Sequence, residues 1–289
     1  MVIINIIGGL GNQLFQYAFG RYIEKIKKCE VKFDLHTDLV AKNFTTRNLD
    51  IEKFNVKLPV ATNEEIKRYI HFRKGLLWRV ERKLTHQNIG FNKHYIVQKS
   101  AHHIPEKIGT DSYYDGYWQC YQFVDGVRDI LLEEISAPEG FYQKYADILK
   151  QMRDSVSIAI HIRRGDYINI KVNAALFEIC DMAYYNEAIK KIEQHYSHPK
   201  FYIFTQDKEW ARENFKGDQF HFVEGNSAID DMLLMAHCQH NIIANSTFSW
   251  WSAWLNKNHE KIVIAPRKWY KGKRNQETIN LIPINWARI

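Results

Sequence analysis

Short apolar runs rich in β-branched residues alternate with segments of helical periodicity along the second half of this chain. Strands are expected at 156–162, 201–205, 220–223, 242–244 and 262–265, and helices at 183–194, 230–238 and 248–255. Strands that are separated by helices pair in parallel through crossovers, and the crossovers place helices on both faces of the sheet. The alternation therefore predicts an α/β domain built on a parallel sheet.

The first half opens with the same kind of unit. An apolar strand at 2–7 is followed by a glycine-rich turn at 8–11 and a helical pattern from Leu14 to Ile26. Further elements are expected as strands at 31–35 and 113–120 and as helices at 66–80, 123–135 and 141–152. This half is also predicted to alternate between α and β.

Pro138 and Gly140 interrupt the helical patterns near the middle of the chain. The 289 residues, 45% of them apolar, suffice for two ordinary domains with separate cores. We predict one domain at 1–138 and a second at 139–289, with a C-terminal segment that packs back on the first domain.

The formal net charge of +7 favours an anionic partner, which could be nucleic acid, acidic lipid or a phosphorylated substrate, and a solvated surface is the alternative interpretation of most of the lysines. Basic residues concentrate at 67–83, interleaved with Leu76, Leu77, Trp78 and Val80, a pattern typical of peripheral contact with an anionic membrane.

No apolar run reaches the roughly 18 residues of a membrane span. The four cysteines lack metal-ligand spacing, and no secretory signal is recognised, so reduced thiols and a cytoplasmic location are expected, with peripheral attachment at the inner face of the plasma membrane.

The strand at 156–162 delivers a cluster of charged residues at its carboxyl end. His161 and Arg163 share one face by alternation, and Arg164 and Asp166 follow directly. Ligands of open parallel sheets bind beyond the carboxyl ends of the strands, and a guanidinium suits a diphosphate because it donates two parallel hydrogen bonds. A structural ion pair between Arg164 and Asp166 is the alternative interpretation.

A second candidate site is the turn that leads from the strand at 242–244 into the next helix. Ser246 and Thr247 stand at the helix start, where free N–H groups and the helix dipole attract anions, although hydroxyl residues there also serve as N-caps. Trp250, Trp251 and Trp254 either line a sugar site or form the buried face of the helix. The glycines at 8–11 form a third, weaker phosphate-binding candidate, since they lack the full dinucleotide fingerprint.

Three segments together resemble the bacterial α-1,2-fucosyltransferases of glycosyltransferase family 11. They are Gly8-Gly9-Leu10-Gly11-Asn12-Gln13-Leu14-Phe15-Gln16-Tyr17, His161-Ile162-Arg163-Arg164-Gly165-Asp166, and the stretch from Asp231 to Ser246-Thr247-Phe248-Ser249-Trp250-Trp251. The resemblance runs from the amino terminus to about Asn256. It implies a GT-B type fold with two Rossmann-like domains facing across a cleft. It also implies an inverting transfer of fucose from GDP-fucose to the galactose 2-hydroxyl of a galactose-containing glycan acceptor. Such a transfer would serve surface polysaccharide or oligosaccharide synthesis. A lipid-linked acceptor fits this expectation.

The resemblance also implies a role for each matched residue. Arg163 would hold the β-phosphate, His161 would lie beside the nucleoside, and Asp231 would accept hydrogen bonds from guanine. The residues Ser246, Thr247 and Phe248 would donate to the diphosphate, Asn12 would lie near the fucose or the acceptor, and Arg164 and Asp166 would support the nucleotide-sugar site. No cofactor and no metal are expected, and the Asp230-Asp231 pair suits the first turn of a helix as well as it suits a metal.

The catalytic base and the function class leave alternatives open. Asp34, at the end of the second strand, is the candidate base, and a turn-capping role is its alternative. A Rossmann-type oxidoreductase would use the first glycine turn and an acidic residue such as Asp34. A non-enzymatic polyanion-binding protein would use the basic charge, but no nucleic-acid motif is recognised and no nucleic-acid partner is expected.

Overall fold

The computed structural model describes residues 1–35, 49–71, 75–86, 92–100, 103–105 and 107–289. The chain groups into two compact units, one of residues 1–136 with 277–281 and one of residues 137–276 with 282–289. The division into a domain of residues 1–138 and a domain of residues 139–289 stays a prediction. No helix in the described ranges is both long and apolar enough to cross a membrane.

The first unit is built around a parallel sheet. Its elements are β1 (Val2–Asn5), α1 (Leu10–Lys27), β2 (Val31–Asp34), α2 (Asn63–Lys67), α3 (Gly75–His86), β3 (Tyr95–Val97), β4 (Ser112–Asp115), α4 (Tyr121–Asp125) and α5 (Arg128–Glu134). The described strands have the order β2-β1-β4-β3 and pair in parallel throughout. The chain leaves β1 for β2 on one side and returns to β4 on the other, which makes the carboxyl ends of β1 and β4 a topological switch point.

The second unit repeats this plan on a larger scale. Its elements are α6 (Phe141–Lys144), α7 (Ala146–Arg153), β5 (Ser157–Ile162), α8 (Gly165–Asn169), α9 (Lys171–Leu176), α10 (Met182–Glu193), β6 (Lys200–Thr205), α11 (Lys208–Asn214), β7 (Phe220–Val223), α12 (Ala228–His237), β8 (His240–Ile242), α13 (Thr247–Leu255), β9 (Val263–Ala265) and β10 (Ala287–Arg288). The described strands have the order β10-β9-β8-β5-β6-β7, and all are parallel. The switch point of this unit lies between β5 and β8.

The core of the second unit fixes the direction of the side chains on β5. Ile158, Ile160 and Ile162 are at most 2% exposed and belong to one hydrophobic cluster. Burial of one such side chain stabilises the fold by about 2 kcal/mol. Because side chains alternate along a strand, these isoleucines direct His161 to the opposite face of the sheet. The parallel sheets expected from the sequence are confirmed.

Two predicted helices are divided in the structure. The helix expected at 123–135 is α4 followed by α5, and Val127 between them has φ −129° and ψ 27°. Val127 and Leu131 are nevertheless fully buried. Apolar periodicity reports which side chains face the core, so it does not detect a break that preserves the buried face. The helix expected at 141–152 is divided at Tyr145 in the same way.

The strand expected at 113–120 is shorter than predicted. It ends at Asp115, and Trp118 has a positive φ of 51°. The N–H groups of Tyr117 and Trp118 donate to Oε1 of Gln98 at 2.7 and 3.1 Å, so a side chain takes the place of a ladder partner. The helical pattern at 66–80 likewise corresponds to separate helices, α2 and α3, and residues 72–74 lie outside the described part of the chain.

Candidate active site

His161 occupies the carboxyl end of β5 as a buried, neutral imidazole. The carbonyl of His161 accepts a hydrogen bond from the Tyr185 hydroxyl at 3.0 Å. Burial, and then the positive charge of Arg163, lowers the pKa of His161 to about 3. Its Nδ1 has no hydrogen-bond partner among the described residues. A buried ring nitrogen without a partner is uncommon, and it is suited to a hydrogen bond with a ligand.

Arg163 follows β5 and lies against an aromatic ring. Its guanidinium carbon is 5.5 Å from the centre of the Tyr167 ring. That ring is itself fixed, because it stacks on Phe177 at 4.3 Å with an interplanar angle of 7°. The Tyr167 hydroxyl donates to the carbonyl of Asn245 at 2.9 Å. Tyr167 thus connects the arginine after β5 with the turn after β8.

Arg164 is held by different partners from Arg163. Its Nε lies 3.1 Å from Oδ2 of Asp207, and its guanidinium lies over the Trp210 ring at 4.2 Å. The arginine therefore supports the loop after β6. Asp166, the alternative partner suggested by the sequence, has its backbone in α8, and its side chain lies outside the described part of the structure.

The turn between β8 and α13 is anchored by a buried asparagine. Asn245 donates through Nδ2 to the carbonyls of Glu178 and Trp269 at 2.6 and 2.9 Å. Ser246 is the N-cap of α13, and its Oγ accepts from the N–H of Phe248 at 3.3 Å. Thr247 begins the helix, so the positive end of the helix dipole starts here. The capping role of Ser246 is therefore confirmed.

The tryptophans of α13 form its buried face. Trp250 and Trp251 are fully buried and Trp254 is 3% exposed. The ring centres of Trp250 and Trp286 lie 5.4 Å apart. Of the two interpretations that their spacing allowed, the structure supports packing rather than a sugar-binding surface.

The described structure brings five of the predicted residues together at one switch point. Ile160 of β5 is level with Ile242 of β8, so the segments that follow these strands leave the same edge of the sheet side by side. The rings of His161 and Phe248 are 5.5 Å apart across this edge. The group comprises His161, Arg163, Ser246, Thr247 and Phe248. A guanidinium, a neutral imidazole and the start of a helix together form a site that can accept an anion.

Asp231 lies in the first turn of α12. Its Oδ1 accepts from Nδ2 of Asn226 at 3.0 Å, and Oδ1 of Asn226 accepts from the Tyr145 hydroxyl at 2.9 Å. Burial raises the pKa of Asp231. The carboxylate is thus positioned by a hydrogen-bonded chain, which is suitable for recognising a donor such as a nucleobase N–H.

Asp230 does not share the environment of Asp231. Lys144 lies 3.0 Å from its Oδ2. Burial acts to raise the pKa of Asp230, but hydrogen bonds from Lys144, Tyr145 and Ser227 outweigh it and the pKa is lowered. Within the described ranges, no cluster of three or more His, Cys, Asp or Glu side chains could hold a metal ion.

The glycine turn of the first unit is organised by amide side chains that sequence analysis assigned no role. Gly8 has a φ of +80°, and Gln13 donates from Nε2 to its carbonyl at 2.9 Å. Gln16 accepts from the N–H of Ile7 and donates to the carbonyl of Gly116, both at 2.9 Å. Gln16 lies in the segment from Gly8 to Tyr17 that resembles the family, and this position could have indicated its role, since an amide can bridge a donor and an acceptor.

Asn12 and Asp34 lie in different environments within the first unit. Asn12 accepts through Oδ1 from Nε2 of Gln119 at 2.9 Å, beside the glycine turn. Asp34 is fully buried, and its Oδ2 accepts from the Tyr113 hydroxyl at 2.8 Å. A general base must reach the hydroxyl it deprotonates, so this placement favours a structural role for Asp34 over a catalytic one.

The sequence matches the model of glycosyl transferase family 11 over residues 1–289. It is 31% identical to the O-antigen biosynthesis glycosyltransferase WbnK of Escherichia coli, over 93% of this chain and 95% of that one. It is 29% identical to an alpha-1,2-colitosyltransferase of Escherichia coli, over 100% and 99%. The galactoside alpha-(1,2)-fucosyltransferase 2 of Rattus norvegicus is 24% identical, over 88% of this chain and 67% of that one.

The fold is similar to that of NodZ alpha-1,6-fucosyltransferase co-crystallised with GDP. The TM-score is 0.51 at 13% identity, with 87% of this chain and 90% of that chain covered. A structure of NodZ soaked with GDP-fucose gives a TM-score of 0.50 at 14% identity, with 88% and 91% covered. The GT-B type of fold expected from the sequence is confirmed. On the evidence of its full-length family match and its bacterial relatives, the chain belongs to glycosyl transferase family 11.

Proposed function

We propose that this protein is an inverting α-1,2-fucosyltransferase that moves L-fucose from GDP-fucose to the 2-hydroxyl of a galactoside. The observation that carries the proposal is the convergence of Arg163 with the start of α13, linked through Tyr167 and Asn245. Relatives named for α-1,2 transfer, and the GDP in the NodZ structure, support it. Membership of a glycosyltransferase family argues against the oxidoreductase and polyanion-binding alternatives.

The proposed chemistry separates charge at the donor. The bond between fucose C1 and the phosphate oxygen breaks, and its electron pair leaves with the β-phosphate. The acceptor oxygen bonds to C1 from the opposite face and loses its proton to a base. Arg163 and the N–H groups at the start of α13 stabilise the negative charge that develops on the leaving diphosphate, and such preorganised donors are a large part of enzymatic rate enhancement.

The remaining residues of the second unit bind the nucleoside. His161 offers the partnerless Nδ1 of a neutral ring, so it can hydrogen-bond a ribose or phosphate group without adding charge. Asp231 accepts hydrogen bonds from the N–H groups of guanine, and the donors on Asn226 and Tyr145 hold it in position. The proposal thus assigns the purine to a carboxylate and the diphosphate to the Arg163 guanidinium and the backbone N–H groups at the start of α13.

We also propose that the transfer requires no metal and no cofactor, because a fixed guanidinium and a helix start supply the positive charge. Activity should be unchanged when EDTA is added to the assay. Activity that is lost with EDTA and restored by manganese would refute metal independence.

The acceptor is proposed to be a galactose-containing glycan, lipid-linked and used in O-antigen or similar surface-polysaccharide synthesis. The name of the Escherichia coli relative supports this assignment. Asn12, hydrogen-bonded to Gln119 beside the glycine turn, is proposed to contact the sugar of the donor or acceptor. The enzyme would then act in the cytoplasm at the inner face of the plasma membrane, with no nucleic-acid partner.

Transfer assays with paired donors and acceptors test the proposal. GDP-fucose and GDP-colitose, which differ at the sugar 3-hydroxyl, are each offered with galactosides that do or do not have a free 2-hydroxyl, and the product linkage is determined by NMR. We expect fucose on the galactose 2-oxygen. Transfer from GDP-colitose alone would reassign the donor, and stabilisation by NAD but not by GDP in a thermal-shift assay would refute the nucleotide-sugar site.

A further inference from the structure

Helix α3 turns two of its charged side chains, Glu81 and Arg82, toward the protein. The Glu81 carboxylate is buried, accepts from the N–H of His71 at 3.1 Å and lies 2.9 Å from Nδ1 of the same histidine. Arg82 forms an ion pair with Asp115 at 3.1 Å, and its guanidinium carbon is 5.1 Å from the centre of the Trp78 ring. These contacts attach one face of the helix to the first unit through polar groups.

The opposite face of α3 presents apolar side chains to solvent. Leu76, Leu77 and Val80 are 75%, 58% and 45% exposed. Arg79 and Lys83 are also exposed and lie beside them at helical spacing. This arrangement is the reverse of an ordinary surface helix, whose apolar stripe faces the core. Arg73 and Lys74, which the sequence adds to this basic segment, lie outside the described residues.

We propose that this face of α3, formed by Leu76, Leu77, Arg79, Val80 and Lys83, docks on an anionic lipid surface. Leucines can enter the boundary between headgroups and acyl chains while the two cations contact the anionic headgroups. The single acidic residue of the helix, Glu81, is buried and does not oppose this contact. A second copy of the same face would instead bring its cations against identical cations.

The attachment of α3 places this surface beside the carboxyl edge of the first sheet, the edge that carries the glycine turn and Asn12, which is proposed to contact the sugar of the donor or acceptor. Asp115, the partner of Arg82, is the last residue of β4 and lies at the switch point of the first unit. Asn5 and Tyr95 fix its two oxygens at 3.2 and 2.8 Å. A lipid-linked glycan in the bound membrane would thus meet this edge, a consequence that rests on the proposed function, whereas lipid docking itself does not.

Vesicle sedimentation of the full chain, without any donor, tests the docking surface. The vesicles are phosphatidylcholine with or without about 30 mol % phosphatidylglycerol. One double variant removes the leucines (Leu76→Ser with Leu77→Ser), and one removes the charges (Arg79→Gln with Lys83→Gln). Matched controls make the same changes at exposed aliphatic and basic residues elsewhere. They are Ile279→Ser with Ile284→Ser, and Lys216→Gln with Lys257→Gln.

We expect wild type to sediment with the anionic vesicles and to remain in the supernatant when the vesicles are neutral. Loss of the two cations should weaken partition about 30-fold, and loss of the leucines should weaken it at least about tenfold. The matched controls should bind as wild type does. Equal binding to both vesicles, no binding, or equal losses in the controls would overturn the proposal, and so would a wild-type dimer that the leucine variant converts to a monomer.

A second measurement separates this inference from the proposed function. Fucose transfer to a soluble galactoside should be the same in wild type and in both α3 variants, because none of the substituted residues belongs to the site at β5 and β8. If wild type transfers no fucose but binds anionic vesicles through α3, the proposed function fails and the docking surface stands. A fall in soluble-acceptor turnover in the α3 variants would assign this face to the acceptor and overturn lipid docking.

Discussion

Replacing Arg163 with alanine should reduce turnover far more than it reduces stability. In the folded protein the guanidinium stacks 5.5 Å from the Tyr167 ring, a contact worth about 0.5–1 kcal/mol. In the proposed transition state the same group faces a diphosphate that is gaining charge, where loss of one preorganised donor costs about 2.7–4 kcal/mol, or about 100-fold or more in kcat. The two costs differ by about 2 kcal/mol or more, which is measurable.

The assay measures kcat with saturating GDP-fucose and a galactoside acceptor, alongside the free energy of unfolding in urea. Arg163→Lys keeps the charge and loses the planar fork, so it should recover part of the lost rate. Arg212→Ala is the matched control. This arginine is exposed and pairs with Glu224 at 2.7 Å, so its loss should leave kcat unchanged.

Two outcomes would contradict the reasoning. If Arg163→Ala turned over at close to the wild-type rate, the arginine would not face the leaving group. If the lost rate were matched by an equal loss of folded protein, its role would be structural, with Tyr167 as the partner that it stabilises.

Three further variants test the surrounding groups. Tyr167→Phe removes the hydrogen bond to Asn245 and should cost about 1 kcal/mol of stability, with a fall in kcat at unchanged acceptor KM; an unchanged kcat would show that this link does not position Arg163. The pKa of His161 is about 3 when folded and 6.5 in the unfolded reference, so the unfolded state binds the proton first and stability should fall by up to about 1.4 kcal/mol per unit as pH drops from 6.5 toward 3. Urea unfolding at several pH values should show that the free energy of unfolding depends less on pH in His161→Gln than in wild type. An identical pH dependence in the two proteins would contradict the burial of a neutral ring. Asp34→Asn should lower stability by about 1–3 kcal/mol through its contact with Tyr113 and leave kcat of the folded enzyme largely intact; a large loss of kcat at normal stability would restore Asp34 as the base.

Local pattern was sufficient to predict the parallel sheet and the residues at its carboxyl edge. The alternation of Ile160, His161 and Ile162 determines which side chain leaves the core, and the strand-helix rhythm determines where each loop emerges. Arg163 and Ser246 therefore converge from strands that are distant in sequence and adjacent in the sheet.

Contacts between distant segments were not predictable in the same way. Tyr167 reaches Asn245 across 78 residues, and Arg164 pairs with Asp207 across 43. Nothing in the local spacing distinguishes these partners from others of the same chemistry. The burial of Trp250 was equally undecidable, because a helical stripe of aromatic residues fits a core and a ligand surface alike.

The amide of Gln16 joins the ends of β1 and β4 with an acceptor on one atom and a donor on the other. Asparagine is one methylene too short to span them, and glutamate, nearly identical in size, has no N–H to offer the carbonyl of Gly116. Glutamate is one nucleotide change away from glutamine, so volume alone would let it replace Gln16. Substitution at this position is therefore constrained by hydrogen-bond polarity rather than by volume.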